Sequence, residues 1–464
     1  MKSVSKNYIY NTAYNVLNVI LPLITAPYLA RILGTDGVGT YAFYFAIAQW
    51  FALFAKLGLT NYGTRHLASV RDDSRKLMKD FSEIYVLQIC MTIFVTIFYL
   101  VFVCNFAKDK LLAALFGIWV ISVSFDVDWL LFGLEDFRSA AVRSCIVKLI
   151  STVSVFLIVQ SKGDIWKYTL ISAFSYAGGY LYLWLKCRRY LSLKEIQWEN
   201  VIKHIKPCLL LMIPVIALSI YRTMDKVMLG SMSTMSETGL YEYAEKLIYA
   251  LCSFISSFGT VMMPRMSNLA AKKDKYTSEK YMERSIEFIM FLSAGMCFGL
   301  LSVSNSLIPI LYGDSFLGSI PLLNLLSVTL IFIAWGNVIR TQYVIPNKKD
   351  NIYIGSITIG AICNLLINAM LIPKLGAVGA CIGTIVAELL VPIYQFIKLC
   401  NDLPYRRYLS NIVLFFVIGI IMCTMCKLVE LVFSTGILTM IVQIITGVVF
   451  YVGISIFHMK KVLK

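Results

Sequence analysis

The sequence predicts an all-α integral membrane protein that crosses the bilayer with about fourteen transmembrane helices. Hydrophobic residues make up 59% of the 464 residues and charged residues only 15%, whereas a soluble chain usually carries about a quarter charged residues. The mean hydropathy is +0.75. Apolar runs of about 20 residues recur along the whole chain, and each is long enough to cross a hydrocarbon core about 30 Å thick. The connections between these runs are too short for a large soluble domain.

The predicted spans follow one another closely. They lie near residues 8–30, 38–62, 81–104, 111–132, 144–160, 166–185, 207–230, 239–263, 285–304, 320–340, 352–372, 376–397, 409–428 and 436–458. The first run carries no small-residue cleavage site after a compact apolar core, and asparagines interrupt it. We therefore expect a retained first helix rather than a signal peptide.

The basic residues are distributed unevenly between the two sides of the predicted membrane. If the N-terminus is cytoplasmic, 31 of the 42 Lys and Arg residues fall on the cytoplasmic side, 7 on the opposite side and 4 within spans. This asymmetry predicts that both termini are cytoplasmic. The net charge of +16 then faces anionic lipid headgroups. We therefore expect membrane lipids, and no nucleic acid, as partners.

Cysteines and histidines indicate no reactive centre. The twelve cysteines fall mostly within apolar runs, without metal-ligand spacing or a disulfide framework. The three histidines, His66, His204 and His458, lie at or near predicted cytoplasmic boundaries. We therefore predict no metal site, no catalytic residue and no cofactor.

Two segments, 33–68 and 229–271, resemble each other. Leu33-Gly34 matches Leu229-Gly230, Gly39 and Tyr41 match Gly239 and Tyr241, and Arg65 and Arg265 each follow 26 residues after the second glycine. An even number of spans separates the copies, so both halves would cross the membrane in the same direction as parallel repeats. We predict one six-helix lobe at 1–195, a second at 196–400 and an added helix pair at 401–464.

The stretch YRTMDKVMLG (221–230) places three ionisable residues inside an apolar span. A charge near the middle of a bilayer costs roughly 2.5–3.5 kcal/mol. Such a residue therefore usually pairs with another charge, faces a water-filled cavity or serves a function. Arg222 is the first candidate for binding a substrate phosphate, because guanidinium matches phosphate oxygens with two hydrogen bonds. Asp225 would hold Arg222 in the empty site. Lys226 lies closer to the loop and can also extend to the interface.

The next span carries YEYAEK (241–246), so Glu242, Glu245 and Lys246 are expected at similar depth. Two interpretations remain open for these six residues. In the first, the six residues have a structural role: they hold the helical hairpin together by ion pairs, or they only flank the membrane interface. In the second, they line a hydrated cavity in which the bases bind phosphate and the acids titrate.

Further charged residues lie in or beside other spans. Lys56 either extends to the inner interface or lines the cavity, and Arg31 either anchors the end of the first span or lines an outer vestibule. Glu388 lies about 18 Å into its span by the helical rise, and we consider it for proton coupling. For Asp126 and Asp128, near the inner end of the fourth span, a structural role is favoured.

Five motifs, spread over most of the first 400 residues, resemble those of a known family. They are PYLARILGTDGVGTYAF (27–43), YGTRHLA (62–68), DWLLFGLEDF (128–137), QYVIPNKKD (342–350) and LIPKLGAVGACIGTIVAE (371–388). With them the chain resembles the Wzx-type oligosaccharide flippases of the multidrug/oligosaccharidyl-lipid/polysaccharide exporter superfamily. The resemblance implies two six-helix lobes in a V around a central cavity, here with two extra C-terminal helices. The family shares no motif for its diphosphate ligands, so no binding residue is transferred.

The resemblance also implies a function in the bacterial cytoplasmic membrane. The protein would move undecaprenyl-diphosphate-linked oligosaccharide repeat units from the inner to the outer leaflet for capsule, O-antigen or exopolysaccharide assembly, beside a polysaccharide polymerase and chain-length machinery. One alternative is a cation-coupled multidrug exporter of the same superfamily, for which more acidic cavity residues are expected. The other is a polytopic polymerase or acyltransferase, which needs a reacting constellation that the short exterior connections do not offer.

Overall fold

The computed structural model describes the backbone of residues 2–192, 196–410 and 412–463, and their side chains apart from those of 2–19, 137, 410, 431 and 457–463. The predicted boundary residue His458 therefore lies outside the described side chains. The described residues form helices and connecting turns, with no strand among them. The helices are α1 (Lys2–Lys56), α2 (Leu59–Val70), α3 (Ser74–Asn105), α4 (Lys110–Ser122), α5 (Asp128–Gly133), α6 (Phe137–Ile158), α7 (Ile165–Cys187), α8 (Trp198–Met232), α9 (Met235–Ala271), α10 (Lys275–Tyr312), α11 (Ser319–Ser327), α12 (Thr329–Ile339), α13 (Asp350–Leu375), α14 (Ala377–Leu399), α15 (Tyr405–Ser410), α16 (Val413–Val432) and α17 (Ile437–Leu463).

The predicted all-α membrane architecture is confirmed. Within the described residues, 12 helical segments are long and apolar enough to cross a membrane. The predicted count of fourteen stays a prediction. Two features account for the difference: α1 is counted once although its backbone breaks at Gly34, and the tyrosine-rich α7 is not among the 12 segments.

The contacts between Cα atoms divide the chain into two units, Met1–Val227 and Met228–Lys464. This division falls inside α8, whereas the sequence predicts a boundary between the lobes near residue 195. The lobes at 1–195 and 196–400 and the added pair at 401–464 stay a prediction.

The first unit has two apolar clusters. One surrounds Phe81, Trp129 and Leu183, and the other surrounds Tyr99 and Phe116. All five side chains are almost completely buried. Aromatic side chains of this size contribute much of the apolar area that a membrane helix bundle buries between its helices.

A break between α4 and α5 interrupts a membrane-spanning segment. After a short 3-10 turn, the backbone is extended at Asp126, and α5 begins at Asp128. The buried side chain of Gln88 on α3 donates from Nε2 to the carbonyl oxygens of Val123 at 2.5 Å and Asp126 at 2.8 Å. Non-helical backbone is tolerated at membrane depth only where its polar groups find protein partners. Gln88 supplies those partners, and the break can therefore present Asp126 and Asp128 inside the unit.

The second unit places a sharp turn between α13 and α14. Gly376 has a φ of +54°, a value that favours glycine. The Glu237 carboxylate of α9 accepts a hydrogen bond from the backbone N–H of Ala377, at the start of α14. A carboxylate at a helix N-terminus satisfies a free N–H and complements the helix dipole. The last two helices, α16 and α17, pack against α10, where the Tyr451 hydroxyl donates to the Phe291 carbonyl oxygen at 2.7 Å.

Each unit contains the same kind of hydrogen bond at the matching tyrosine of the predicted repeat. In the first unit, the Tyr41 hydroxyl donates to Ser172 Oγ on α7 at 2.9 Å. In the second, the Tyr241 hydroxyl lies 2.9 Å from Thr384 Oγ1 on α14. In both, the glycine two residues earlier is buried. These equivalent contacts support the predicted duplication.

Candidate functional site

The stretch that carries Arg222, Asp225 and Lys226 is helical, as predicted. All three residues belong to α8, and the spacing of three and four residues places them on one side of it. Arg222 is exposed, Lys226 is half-buried and Asp225 is only 1% exposed. Arg222 lies about 15 Å before the C-terminal end of α8, at about 1.5 Å per residue. A charged residue is therefore held well inside a membrane-crossing helix.

Lys56 lies in a network of ion pairs within the first unit. It is the last residue of α1, and its Nζ lies 2.6 Å from Asp126 Oδ2. Nζ also donates to the Tyr180 hydroxyl of α7 at 3.1 Å. The Asp126 side chain is 4% exposed, whereas that of Lys56 is 30% exposed. Lys56 therefore neutralises a buried carboxylate while part of its own side chain stays accessible.

A second ion pair lies beside the first. Arg143 of α6 donates from Nη2 to Asp128 Oδ2 at 3.2 Å, and these side chains are 11% and 20% exposed. The two pairs are joined because the backbone N–H of Asp128 donates to Asp126 Oδ1 at 3.1 Å. We call Lys56, Asp126, Asp128, Arg143 and Tyr180 the paired-charge network. Its two bases and two acids give no net charge.

The other carboxylate oxygen of Asp128 is a vacant acceptor. Oδ1 is buried and accepts no hydrogen bond from the part of the chain that the structure describes. Leaving such an acceptor unsatisfied costs about 1–3 kcal/mol, and more when it is charged. A water molecule, a hydroxyl group or another donor would remove this cost. Because Oδ1 is buried, a ligand can donate to it only if the surrounding side chains move, and the network can bind an anion only if Lys56 or Arg143 exchanges its partner.

The second unit holds the other predicted residues on α9 and α14. Lys246 Nζ lies 3.3 Å from Glu242 Oε1, one helical turn away, and 4.6 Å from the centre of the Tyr243 ring. The local ion pair of Glu242 and Lys246 fits the hairpin interpretation. Their side chains are 16% and 28% exposed, so the other interpretation stays open for them.

Glu245 and Glu388 are more deeply buried, at 4% and 8% exposed. Glu245 Oε1 lies 3.5 Å from the Tyr241 hydroxyl, which also contacts Thr384. Glu388 follows Thr384 by one turn of α14, on the same side of that helix. The second unit thus places two carboxyl groups close to one polar contact between α9 and α14. Their proposed role in ion coupling stays a prediction.

Arg31 is exposed near the C-terminal end of the first half of α1. The backbone of α1 departs from helical geometry three residues later, at Gly34, where φ is +68° and ψ is −177°. Both earlier alternatives for Arg31, boundary anchoring and a vestibule, are compatible with this position.

Two members of the paired-charge network were missed by sequence reasoning. Arg143 is one of the 31 bases predicted on the cytoplasmic side, and no pattern in the sequence distinguishes Tyr180 from the other tyrosines. Asp126 and Asp128 were noted but given a structural role. The useful signal was the pair of acids two residues apart in an apolar segment, because this spacing puts them on different sides of a helix and points to a break.

Comparisons with known proteins identify relatives of most of the chain. Residues 4–270 match the family model described as "Polysaccharide biosynthesis protein". A protein of Escherichia coli K12 named as a candidate O-antigen transporter is 21% identical over 84% of this chain and 95% of its own length. Capsular polysaccharide biosynthesis protein CapF of Staphylococcus aureus is 22% identical over 85% of this chain and 99% of its own length.

Two solved structures share the fold. The lipid II flippase MurJ in an inward closed conformation matches 99% of both chains with a TM-score of 0.72 at 14% identity. An inward-facing multidrug resistance MATE transporter of the MOP superfamily matches 84% of this chain and 96% of its own, with a TM-score of 0.63 at 12% identity. At these identities the likeness establishes the fold and not the substrate.

Proposed function

Because the chain belongs to the family described as polysaccharide biosynthesis proteins, we propose that it moves undecaprenyl-diphosphate-linked oligosaccharide repeat units from the inner to the outer leaflet. The resemblance to Wzx-type flippases of the MOP superfamily is confirmed, and the protein is a multi-pass membrane protein. The names of its relatives, an O-antigen transporter and a capsular polysaccharide protein, support a surface polysaccharide as the final product. We place it in the bacterial cytoplasmic membrane with both termini cytoplasmic.

The physical problem of this transfer is the headgroup. The polyprenyl tail can stay in the hydrocarbon, but a diphosphate and several sugars need a polar path. The observation that carries the proposal is that ionisable side chains lie inside membrane-crossing helices. Four of them are paired in the first unit, and the second unit holds Glu242, Glu245, Lys246 and Glu388. A purely structural helix bundle would avoid the cost of burying them.

We assign the diphosphate contacts to the bases on α8. The exposed guanidinium of Arg222 would cost roughly 2.5–3.5 kcal/mol if it faced hydrocarbon, so water or phosphate is the more favourable neighbour. Lys226 is the second candidate. Lys56 and Lys246 already contact Asp126 and Glu242, and they would bind the substrate only by sharing or exchanging those partners.

The acids serve a second role in this proposal. Asp128 Oδ1 would accept a hydrogen bond from a sugar hydroxyl once the side chains that bury it move. Glu245 and Glu388 are the candidates for ion coupling, and Asp225 for holding Arg222. Polysaccharide polymerase and chain-length machinery would act on the delivered repeat unit as partners. In this function the protein performs no bond-breaking chemistry and is a transporter rather than an enzyme.

The experiment that tests the function is direct transfer between leaflets. Purified full-length protein is reconstituted into vesicles with a fluorescently labelled undecaprenyl-diphosphate oligosaccharide, and the fraction accessible to an external quencher is followed over time. Transfer faster than in protein-free vesicles is expected. A rate equal to that of protein-free vesicles would contradict the proposed function, and extrusion of a cationic dye by the same vesicles would favour the multidrug exporter.

Replacing Arg222 with glutamine is expected to lower the transfer rate by about tenfold or more. The substitution removes a charge-assisted hydrogen bond to phosphate, and such bonds contribute about 1.5–3 kcal/mol. Arg188→Gln is the matched control, since Arg188 is also exposed but lies after the end of α7. Equal rates in both variants, at equal amounts of inserted protein, would remove Arg222 from the binding site while leaving the transport function intact.

A further inference from the structure

A cavity in the first unit lies between the middle of α2 and the N-terminal part of α8. Its volume is about 420 Å³, and it is lined by Tyr62, Arg65 and His66 of α2 and by Pro207, Leu210 and Leu211 of α8. We call it the α2–α8 pocket. It shares no residue with the paired-charge network or with the predicted bases on α8. One of its walls is polar and cationic, and the other is apolar.

The polar wall is held by buried groups behind it. The Tyr62 hydroxyl lies 2.5 Å from Nδ1 of the buried His204, whose Nε2 lies 3.7 Å from the Glu83 carboxylate. Glu83, 1% exposed, also accepts from the backbone N–H of Gln197 at 3.2 Å. This chain of contacts fixes the Tyr62 ring and connects α2, α3 and α8.

His66 is fixed in a similar way. Its Nε2 lies 2.8 Å from Asp80 Oδ2, and its ring stacks on Tyr62 with centroids 5.4 Å apart. The pocket is therefore a preformed cradle rather than a patch of mobile side chains. Preorganised walls reduce the ordering cost of binding a ligand.

Arg65 supplies the charge at the mouth of the pocket. Its side chain is exposed and makes no ion pair within the described part of the chain. Lys206 is also exposed and lies one helical turn before Leu210 on the same side of α8. A guanidinium and an ammonium beside a preformed pocket match an anion with several oxygens.

The apolar wall identifies the kind of anion. Leu210 is 58% exposed and Ile213, three residues on, is 59% exposed, so this side of the membrane-crossing helix α8 can face lipid tails. A soluble phosphate compound would contact only the polar wall, whereas the acyl chain of a lipid can lie along this apolar surface while its phosphate reaches the cations. The distribution of basic residues predicts that α2 and the N-terminal part of α8 lie at the cytoplasmic leaflet, which is rich in anionic lipid.

We propose that the α2–α8 pocket binds an anionic glycerophospholipid of the cytoplasmic leaflet, with its phosphate at Arg65 and one acyl chain along Leu210 and Leu211. His66 and Tyr62 lie beside the headgroup on the side of α2, and Lys206 adds a second cation. Because the bound lipid bridges α2 and α8, it stabilises their packing. This site does not depend on the identity of the transported substrate.

The test uses purified, delipidated full-length protein titrated with phosphatidylglycerol and observed by native mass spectrometry. Arg65→Gln is expected to weaken retention of the tightest-bound phosphatidylglycerol by about fivefold, the contribution of one cation near an anionic surface. Arg188→Gln should retain the lipid as the wild type does, and phosphatidylcholine should bind less tightly than phosphatidylglycerol. Thermal unfolding without lipid shows whether Arg65→Gln is folded, and Lys206→Gln serves as the second variant.

Three results would overturn the proposal. The first is equal weakening by Arg65→Gln and Arg188→Gln, which would indicate general surface attraction. The second is equal binding of glycerol phosphate, which would remove the acyl chain from the site. The third is an effect of Arg65→Gln on undecaprenyl diphosphate but none on phosphatidylglycerol, which would assign the same phosphate chemistry to the transported lipid instead.

Discussion

Lys56→Met is expected to lower the free energy of unfolding by about 3 kcal/mol. Breaking a buried ion pair from one side costs about 3–5 kcal/mol, because the remaining charge stays buried without its partner. The remaining charge here is Asp126, whose side chain is 4% exposed. The lower end of the range applies because the Lys56 side chain is 30% exposed and part of its interaction is already with water. Unfolding in mixed detergent micelles, followed by tryptophan fluorescence, measures the change.

The double variant Lys56→Met/Asp126→Asn separates the pair from the packing of the methylene chain. An amide at position 126 carries no charge but can still accept the hydrogen bond from the backbone N–H of Asp128. We therefore expect the double variant to regain most of the lost stability. If it is as unstable as Lys56→Met alone, the loss comes from packing and not from the buried charge.

A surface ion pair provides the control for this measurement. Arg71 lies 2.6 Å from Glu135, a distance equal to that in the buried pair, but the side chains are 40% and 65% exposed. Exposed pairs contribute little because water solvates both ions well. Arg71→Met should therefore leave the free energy of unfolding nearly unchanged. A loss as large as that of Lys56→Met would show that burial is not the cause.

The helical architecture could be predicted from the sequence because it depends on local properties. An apolar run of about 20 residues must satisfy its backbone within itself when it crosses a bilayer, and a helix does so. The predicted spans near 81–104 and 239–263 accordingly lie within α3 and α9, and the span near 376–397 begins one residue before α14 and otherwise lies within it. The ends are less regular, and α9 and α10 extend well beyond their predicted spans because their polar ends are also helical.

The paired-charge network could not be predicted to the same degree, because tertiary packing creates it. Asp126 is paired by a lysine 70 positions earlier in the chain, and Asp128 by an arginine on the next long helix. In the sequence, Arg143 is one of several bases near a connection, and nothing local distinguishes it from Arg138. The i,i+4 pair of Glu242 and Lys246 is the opposite case, since helical spacing alone indicates it.

The buried side chain of Gln88 explains how the first unit accommodates the backbone break that presents Asp126 and Asp128. Trp129 donates from Nε1 to Gln88 Oε1 at 2.9 Å, while Gln88 donates to the two carbonyl oxygens at the break. The side-chain amide of Gln88 thereby satisfies the carbonyl oxygens at the break and fixes the indole ring of Trp129. A single Gln in the apolar run YVLQICMT (85–92) is the sequence signal for such a role, because a polar side chain in a membrane span needs a partner.

Gly58→Ala is expected to lower the free energy of unfolding by more than about 2 kcal/mol. Gly58 has a φ of +70°, where a residue with a Cβ pays roughly 1–2 kcal/mol. An added Cβ would also lie 2.7 Å from the Cys208 carbonyl oxygen and 3.0 Å from the backbone nitrogen of Met212. Because both contacts are to the backbone of α8, a side-chain rotation cannot relieve them. Gly178→Ala, with nothing within 4 Å of its added Cβ, should leave stability unchanged or raise it slightly.

Gly58 lies two residues after Lys56, so the positive φ at Gly58 and its close approach to α8 also affect the paired-charge network. The break at Leu57 and Gly58 ends α1 at Lys56 and lets α8 approach closely. If Gly58→Ala shifts that break, it also weakens the contact between Lys56 and Asp126, and its cost should then be smaller in the Lys56→Met/Asp126→Asn background, since that contact is already absent. Equal cost in both backgrounds would show that the glycine serves only the packing of α8. A reduced cost would mean that one glycine determines both where a membrane helix ends and where its last residue places a charge.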